Sequence, residues 1–292
     1  MPKTTLVGCD MSGSFFKIDS ATGSGAFIGN TGFIGTNSLA CDGSGKLYSV
    51  AGSGTAGRLI TVDPQTGAAT LVKQLQPPQD IRDLAFSPED VLFGINHGGG
   101  PDDIESPDDL VTIDVATGAV TPVGNTGQAG LQGLAFSPNG TLYGWGVSCG
   151  LATINPTTGV ATLVNSGAPT GSQIQALAFA PNGTLFGAWK SLFTINVTTG
   201  TPMLIGSGGY SDIRGIAFFK SPQLFRPLFI RLAWAWTILI GYILVTPIGP
   251  LCIACATPLS DFCVRLLGIS VLVLGGVGLL HEIRRPQTQD GR

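Results

Sequence analysis

His97 and His281 are the only histidines in this 292-residue chain. A proton shuttle near neutral pH must therefore use one of them, or a carboxylate with a shifted pKa. His97 opens the one strongly acidic stretch, H97-G-G-G-P-D-D-I-E-S-P-D-D109. Its Asp102, Asp103, Glu105, Asp108 and Asp109 are hard oxygen ligands of the kind Ca²⁺ takes. Their spacing departs from D-x-[DN]-x-[DN]-G and two prolines interrupt it. A hydrated acidic loop is the first reading, a weak calcium site the second, and no other cofactor is expected. Catalytic signatures are otherwise thin: no G-x-S-x-G element is present, and no phosphate-binding glycine pattern joins a strand to a helix. A carboxylate pair, or Asp10 with His97, meeting around a central channel is the enzymatic reading.

What must position these residues is a repeat. The turns D19-S-A-T-G23, D63-P-Q-T-G67, D114-V-A-T-G118, N155-P-T-T-G159 and N196-V-T-T-G200 recur at 41- to 51-residue steps. L-A-F-S-P at Leu84 and Leu134 returns as L-A-F-A-P at Leu177, with weaker copies L39-A-C and I216-A-F. Short strands follow at L6-V-G, L47-Y-S, L92-F-G, L142-Y-G and L185-F-G. Short strands rich in Leu, Phe, Tyr, Ile, Val and Thr, bounded by Gly, Pro, Asn and Asp at this period, predict four-stranded propeller blades.

The turn residues have structural work. Asp or Asn accepts backbone N–H groups just downstream, and the fifth-position Gly takes a left-handed conformation. Counting units gives five blades in an all-β domain, 1–220. The strand at Ile216 supplies the inner edge of a blade whose other strands come from 6–28, so no sheet edge remains open. The variable links then share one face. Asp10, Asn96, His97, Trp145, Cys149, Trp189 and Lys190 fall in or beside them and are the ligand-binding candidates. For Trp145 and Trp189, packing against the next blade is the stronger expectation.

The phrases L110-V-T-I-D-V-A-T-G-A-V-T-P-V-G124 and L134-A-F-S-P-N-G-T-L-Y-G144 resemble the DUF4394/YVTN-like, quinoprotein-like group of bacterial propellers. That resemblance, over 6–219, implies a propeller acting as a scaffold, adhesion or binding module, with enzymes a minority. The tryptophan docking motif of quinoprotein dehydrogenases is missing.

Composition changes after Lys220. Nine Lys/Arg face fifteen Asp/Glu before it; six face three after it, around an uncharged apolar interior. The acidic part argues against nucleic acid as a partner. Leu232–Thr246 and Leu266–Leu280 carry no charge, which predicts an α-helical transmembrane hairpin in 221–292, with helices at 228–248 and 262–281 and the lipid bilayer as partner. Arg226, Arg231, Arg284 and Arg285 flank it, favouring a cytoplasmic propeller; one span, or a missing signal peptide, would export it. Cys252, Cys255 and Cys263 provide three thiols, too few for a zinc site. The overall expectation is a membrane-anchored propeller that binds a protein or glycan. The alternative is a hydrolase or lyase-like enzyme with its site at the central channel.

Overall fold

A computed structural model describes residues 4–52, 57–77, 79–97, 106–164 and 174–220. Twenty strands form five four-stranded antiparallel sheets. β1 (Thr4–Asp10), β2 (Ser14–Ile18) and β3 (Gly25–Asn30) come first in the chain. Blade 1 is β4 (Ala40–Cys41), β5 (Leu47–Ala51), β6 (Arg58–Val62) and β7 (Ala69–Gln74). Blade 2 is β8 (Ile81–Phe86), β9 (Leu92–Asn96), β10 (Asp109–Ile113) and β11 (Val120–Asn125). Blade 3 comprises β12 (Leu131–Phe136), β13 (Leu142–Gly146), β14 (Gly150–Ile154) and β15 (Ala161–Leu163). Blade 4 comprises β16 (Ala176–Phe179), β17 (Leu185–Ala188), β18 (Leu192–Ile195) and β19 (Pro202–Gly206).

Blade 5 closes the ring. β20 (Ile213–Lys220) pairs with β1 from Lys220 opposite Thr4 to Ile213 opposite Asp10, giving the order β20-β1-β2-β3. The expected five-bladed architecture and its closure are therefore present. The chain divides into two units after Pro222, and the first carries all the described strands. The helices expected at 228–248 and 262–281, and Cys252, Cys255 and Cys263, lie outside the described residues. Within them, no helix is long and apolar enough to cross a membrane.

The five turns behave alike. Gly23, Gly67, Gly118, Gly159 and Gly200 have φ between 67° and 81°, the left-handed region where a Cβ is costly. Each donates its amide to the carbonyl of the opening Asp or Asn at 2.7–2.8 Å. The opening side chain accepts amides two and, in four of the turns, also three residues on, as Asp114 does from Ala116 and Thr117.

Among the described residues the core separates into five clusters, one per seam between blades. Burying apolar area between blades, rather than in one centre, is what holds the ring. Four seams carry an aromatic pair, each joining a second-strand ring to the inner-strand Phe of the next blade. These pairs are Tyr48–Phe86, Phe93–Phe136, Tyr143–Phe179 and Phe186–Phe218, with centroids 5.3–5.4 Å apart. At the closing seam the same repeat positions hold Val7 and Cys41, which belong to one cluster.

Candidate functional site

The inner strands β4, β8, β12, β16 and β20 line a narrow axial channel of about 110 Å³, walled by Leu-Ala-Phe-type residues. One residue before each of these phrases stands Ser38, Asp83, Gly133, Ala176 or Gly215. Four are small; Asp83 is not, and it is fully buried. Its Oδ1 accepts the Leu84 amide at 2.9 Å, and its Oδ2 accepts Leu134 at 2.8 Å and Leu177 at 3.5 Å. The carboxylate thus reaches the inner edges of blades 3 and 4 and satisfies donors that a sheet edge leaves open. Burial raises its pKa well above the usual carboxylate range, against the pull of those amides.

One residue further towards the strand starts, the ring is polar throughout: Asn37, Arg82, Gln132, Gln175 and Arg214. In blades 2, 3 and 5 this residue is skipped by the ladder, between Ile81/Asp83, Leu131/Gly133 and Ile213/Gly215. Such a bulge re-aims a side chain that strict alternation would bury. Arg214 Nη1 donates to Gln175 Oε1 at 3.3 Å, and Asn37 Nδ2 donates to the Ile81 carbonyl at 3.4 Å, so neighbours touch around the mouth.

At the blade 2 end of this rim lies the densest polar group. His97 Nδ1 is 2.8 Å from Asp108 Oδ1, with side chains 3% and 0% exposed. Asp108 Oδ2 accepts the Leu131 amide at 2.6 Å, and the Asp108 carbonyl accepts Thr126 Oγ1 at 2.7 Å. Burial lifts the Asp108 pKa, opposed by the His97 hydrogen bond, the Leu131 amide and the charges of His97 and Arg82. The His97 amide donates to the Asp80 carbonyl at 3.0 Å. Asp80 Oδ2 pairs with Arg82 Nη2 at 2.7 Å, and Asn96 faces Ile81 across the ladder. Among the described residues, four buried atoms in this group have no partner: Asp80 Oδ1, Arg82 Nε, Asn96 Oδ1 and His97 Nε2. Buried polar atoms are normally bonded, so a cluster of exceptions points to something that completes them.

The other sequence candidates are placed differently. Asp10 Oδ1 accepts Ser12 N, Ser12 Oγ and Ser14 N at 2.6–2.9 Å, the bonding of a turn. Trp145 is 1% exposed and packs into the seam between blades 3 and 4. Trp189 is half-buried, donates Nε1 to Asp212 Oδ1 at 2.7 Å, and lies under the Lys190 ammonium at 4.2 Å. Asp109 Oδ1 accepts Asn125 Nδ2 at 2.9 Å. Of the calcium candidates, Asp102, Asp103 and Glu105 lie outside the described residues, and Asp108 and Asp109 already have protein partners. No group of three or more His, Cys, Asp or Glu suited to a metal occurs among the described residues. Burial raises the Cys9 and Cys149 thiol pKa values, which suppresses thiolate chemistry.

Sequence reasoning singled out His97 and Asn96 but not Asp80, Arg82 and Asp83, from the strand start that pairs with Asn96. The available signal was the tripeptide Asp-Ile-Arg, which occurs at both Asp80–Arg82 and Asp212–Arg214.

No protein-family model matches the chain, and no curated protein matches its sequence. Solved structures share its shape. A chain of the nidogen/laminin complex is 11% identical with a TM-score of 0.53, covering 74% of this chain and 98% of that one. The PQQ-bound aldose sugar dehydrogenase of Streptomyces coelicolor is 17% identical, TM-score 0.47, covering 73% and 80%. A gluconolactonase of Xanthomonas campestris is 14% identical, TM-score 0.45, covering 71% and 77%. At such identities the likeness is one of fold. The chain is a five-bladed β-propeller.

Proposed function

We propose that the propeller is an enzyme of hydrolase or lyase type, working at the rim of its central channel with His97 as general base. The observation that carries this reading is the buried His97 whose Nδ1 is held by Asp108 at 2.8 Å while Nε2 has no partner. Donation of Nδ1–H to the carboxylate leaves the lone pair on Nε2, the tautomer a base needs. In hydrolysis, Nε2 takes a proton from water as the oxygen attacks an acyl carbon, then returns it to the departing alkoxide. Arg82, whose buried Nε has no partner among the described residues, supplies positive charge beside the oxyanion. Nε2 is buried, so substrate entry must displace what covers it.

The test is p-nitrophenyl acetate hydrolysis by the wild type, His97→Gln and Asp108→Asn. The asparagine still accepts from Leu131 but offers Nδ2–H to His97, forcing the wrong tautomer. Both variants should lose about 10²-fold or more. Folded variants as fast as the wild type would overturn the assignment.

A partner-binding role has separate support in the exposed Phe27, Leu71, Met203 and Leu204 on the outermost strands β3, β7 and β19. Tethering by a membrane hairpin in 221–292 is supported by the uncharged runs of the tail. Protease accessibility of terminal tags in intact and permeabilised cells tests it and reports the side the propeller faces.

A further inference from the structure

The two Asp-Ile-Arg copies occupy the same repeat position at the starts of β8 and β20, and both hold an internal ion pair. Arg82 Nη2 lies 2.7 Å from Asp80 Oδ2, and Arg214 Nε lies 2.8 Å from Asp212 Oδ1. Their surroundings differ. At the second copy the protein supplies the missing partners: Trp189 Nε1 donates to Asp212 Oδ1 at 2.7 Å, and Gln175 Oε1 accepts from Arg214 Nη1 at 3.3 Å. Trp189 belongs to blade 4, which precedes the blade of Asp212; in blade 1, which precedes the blade of Asp80, the same repeat position is Ala51, after L47-Y-S-V50 as Trp189 follows L185-F-G-A188. A methyl group there cannot donate to Asp80, and among the described residues Asp80 Oδ1, Arg82 Nε and Asn96 Oδ1 are buried without partners. The second copy is completed by its own chain, and the first is left open.

We infer that the open copy binds a neutral polyhydroxylated molecule of the sugar or sugar-derivative class. The buried atoms without partners among the described residues are three acceptors, Asp80 Oδ1, Asn96 Oδ1 and His97 Nε2, and one donor, Arg82 Nε; further N–H groups of the Arg82 guanidinium and of Asn96 Nδ2 stand beside them. An anion has only acceptors and meets the Asp80 carboxylate here. A cation meets the Arg82 guanidinium within the cluster. A hydroxyl donates and accepts at once, so adjacent hydroxyl groups can give to Asp80 and Asn96 while one accepts from Arg82. In the second copy the group that fills the acceptor is likewise a neutral donor, the Trp189 indole. This assignment deepens the proposed function by naming its substrate class, but it rests on the unpartnered atoms and not on proton transfer.

The experiment is saturation-transfer NMR on the full-length chain with D-glucose, D-galactose, L-arabinose and myo-inositol as probes, and sodium acetate and ethanolamine as anionic and cationic controls. At least one polyol should bind the wild type. Binding should weaken about tenfold or more in Asp80→Asn and Asn96→Ala, the equivalent of one lost hydrogen bond. Asp212→Asn, at the completed copy, should bind like the wild type. Melting curves confirm that each variant is folded. No polyol binding by the wild type, equal binding by folded Asp80→Asn and Asn96→Ala, or preference for acetate or ethanolamine would overturn the inference. Polyol binding combined with no His97-dependent hydrolysis would sink the enzymatic reading and leave this one standing.

Discussion

The Asp83 carboxylate accepts the Leu134 amide of the neighbouring blade at 2.8 Å, across the top of the axial channel. No other blade places a charged residue at that register; its counterparts are Ser38, Gly133, Ala176 and Gly215. At the two glycines the neighbouring inner strand leaves no room for a side chain. A Cβ on Gly133 would crowd the Leu177 side chain, and one on Gly215 would collide with the Ser38–Leu39 backbone.

Replacing Asp83 with the repeat's own serine leaves the Leu84 and Leu134 amides without this acceptor. Asp83→Ser should cost about 1–3 kcal/mol in urea unfolding. The pH dependence has a defined sign. Burial raises the folded pKa, so the Asp83 contribution is complete at low pH, below the unfolded carboxylate pKa. It is lost as pH rises from there through the folded value. The variant should lack this component, so its stability should fall less steeply than the wild type's above the ordinary carboxylate range.

Asp108 and Asp109 are sequence neighbours with unequal duties. Asp108 is buried and holds both His97 and the Leu131 amide, whereas Asp109 meets Asn125 at an exposed position. Asp108→Ala should lower stability by about 2–4 kcal/mol and Asp109→Ala by about 1 kcal/mol or less. Denaturant midpoints at fixed pH measure both.

The aromatic seams predict a coupling pattern. A double-mutant cycle on Phe93 and Phe136, whose rings are 5.4 Å apart, should return about 0.5–1.5 kcal/mol. The same cycle on Val7 and Cys41, at the closing seam, should return less. Equal couplings would mean that closure by the β20–β1 pairing is not offset by weaker side-chain packing.

Two glycines separate backbone conformation from crowding. Gly118 has φ of 78° and a Cβ there would collide with the Gln74 carbonyl oxygen; Gly183 has φ of 85° but nothing near the Cβ position. Gly183→Ala should cost about 1 kcal/mol from backbone strain alone. Gly118→Ala should cost clearly more, read from thermal melts of the two variants.

Much of the architecture was legible because it is written in local chemistry. Asp19 and Gly23, or Asn155 and Gly159, specify a turn within five residues, and Leu84-Ala-Phe specifies a strand. The period then fixes the blade, and the unmatched ends at Leu6 and Ile216 fix the closure. Local chemistry along the chain therefore specifies the strands, the turns and the number of blades. The tertiary structure alone decided which polar residues meet. His97 and Asp108 are joined across a long link, Asp83 reaches blades 51 and 94 residues away, and Trp189 completes Asp212 but leaves Asp80 open. Closing the ring brings five strand starts around one axis, and bulges at Arg82, Gln132 and Arg214 turn their side chains out of the alternation. Neither effect has a signature in the spacing of residues along the chain, because contact across the ring depends on how the blades pack.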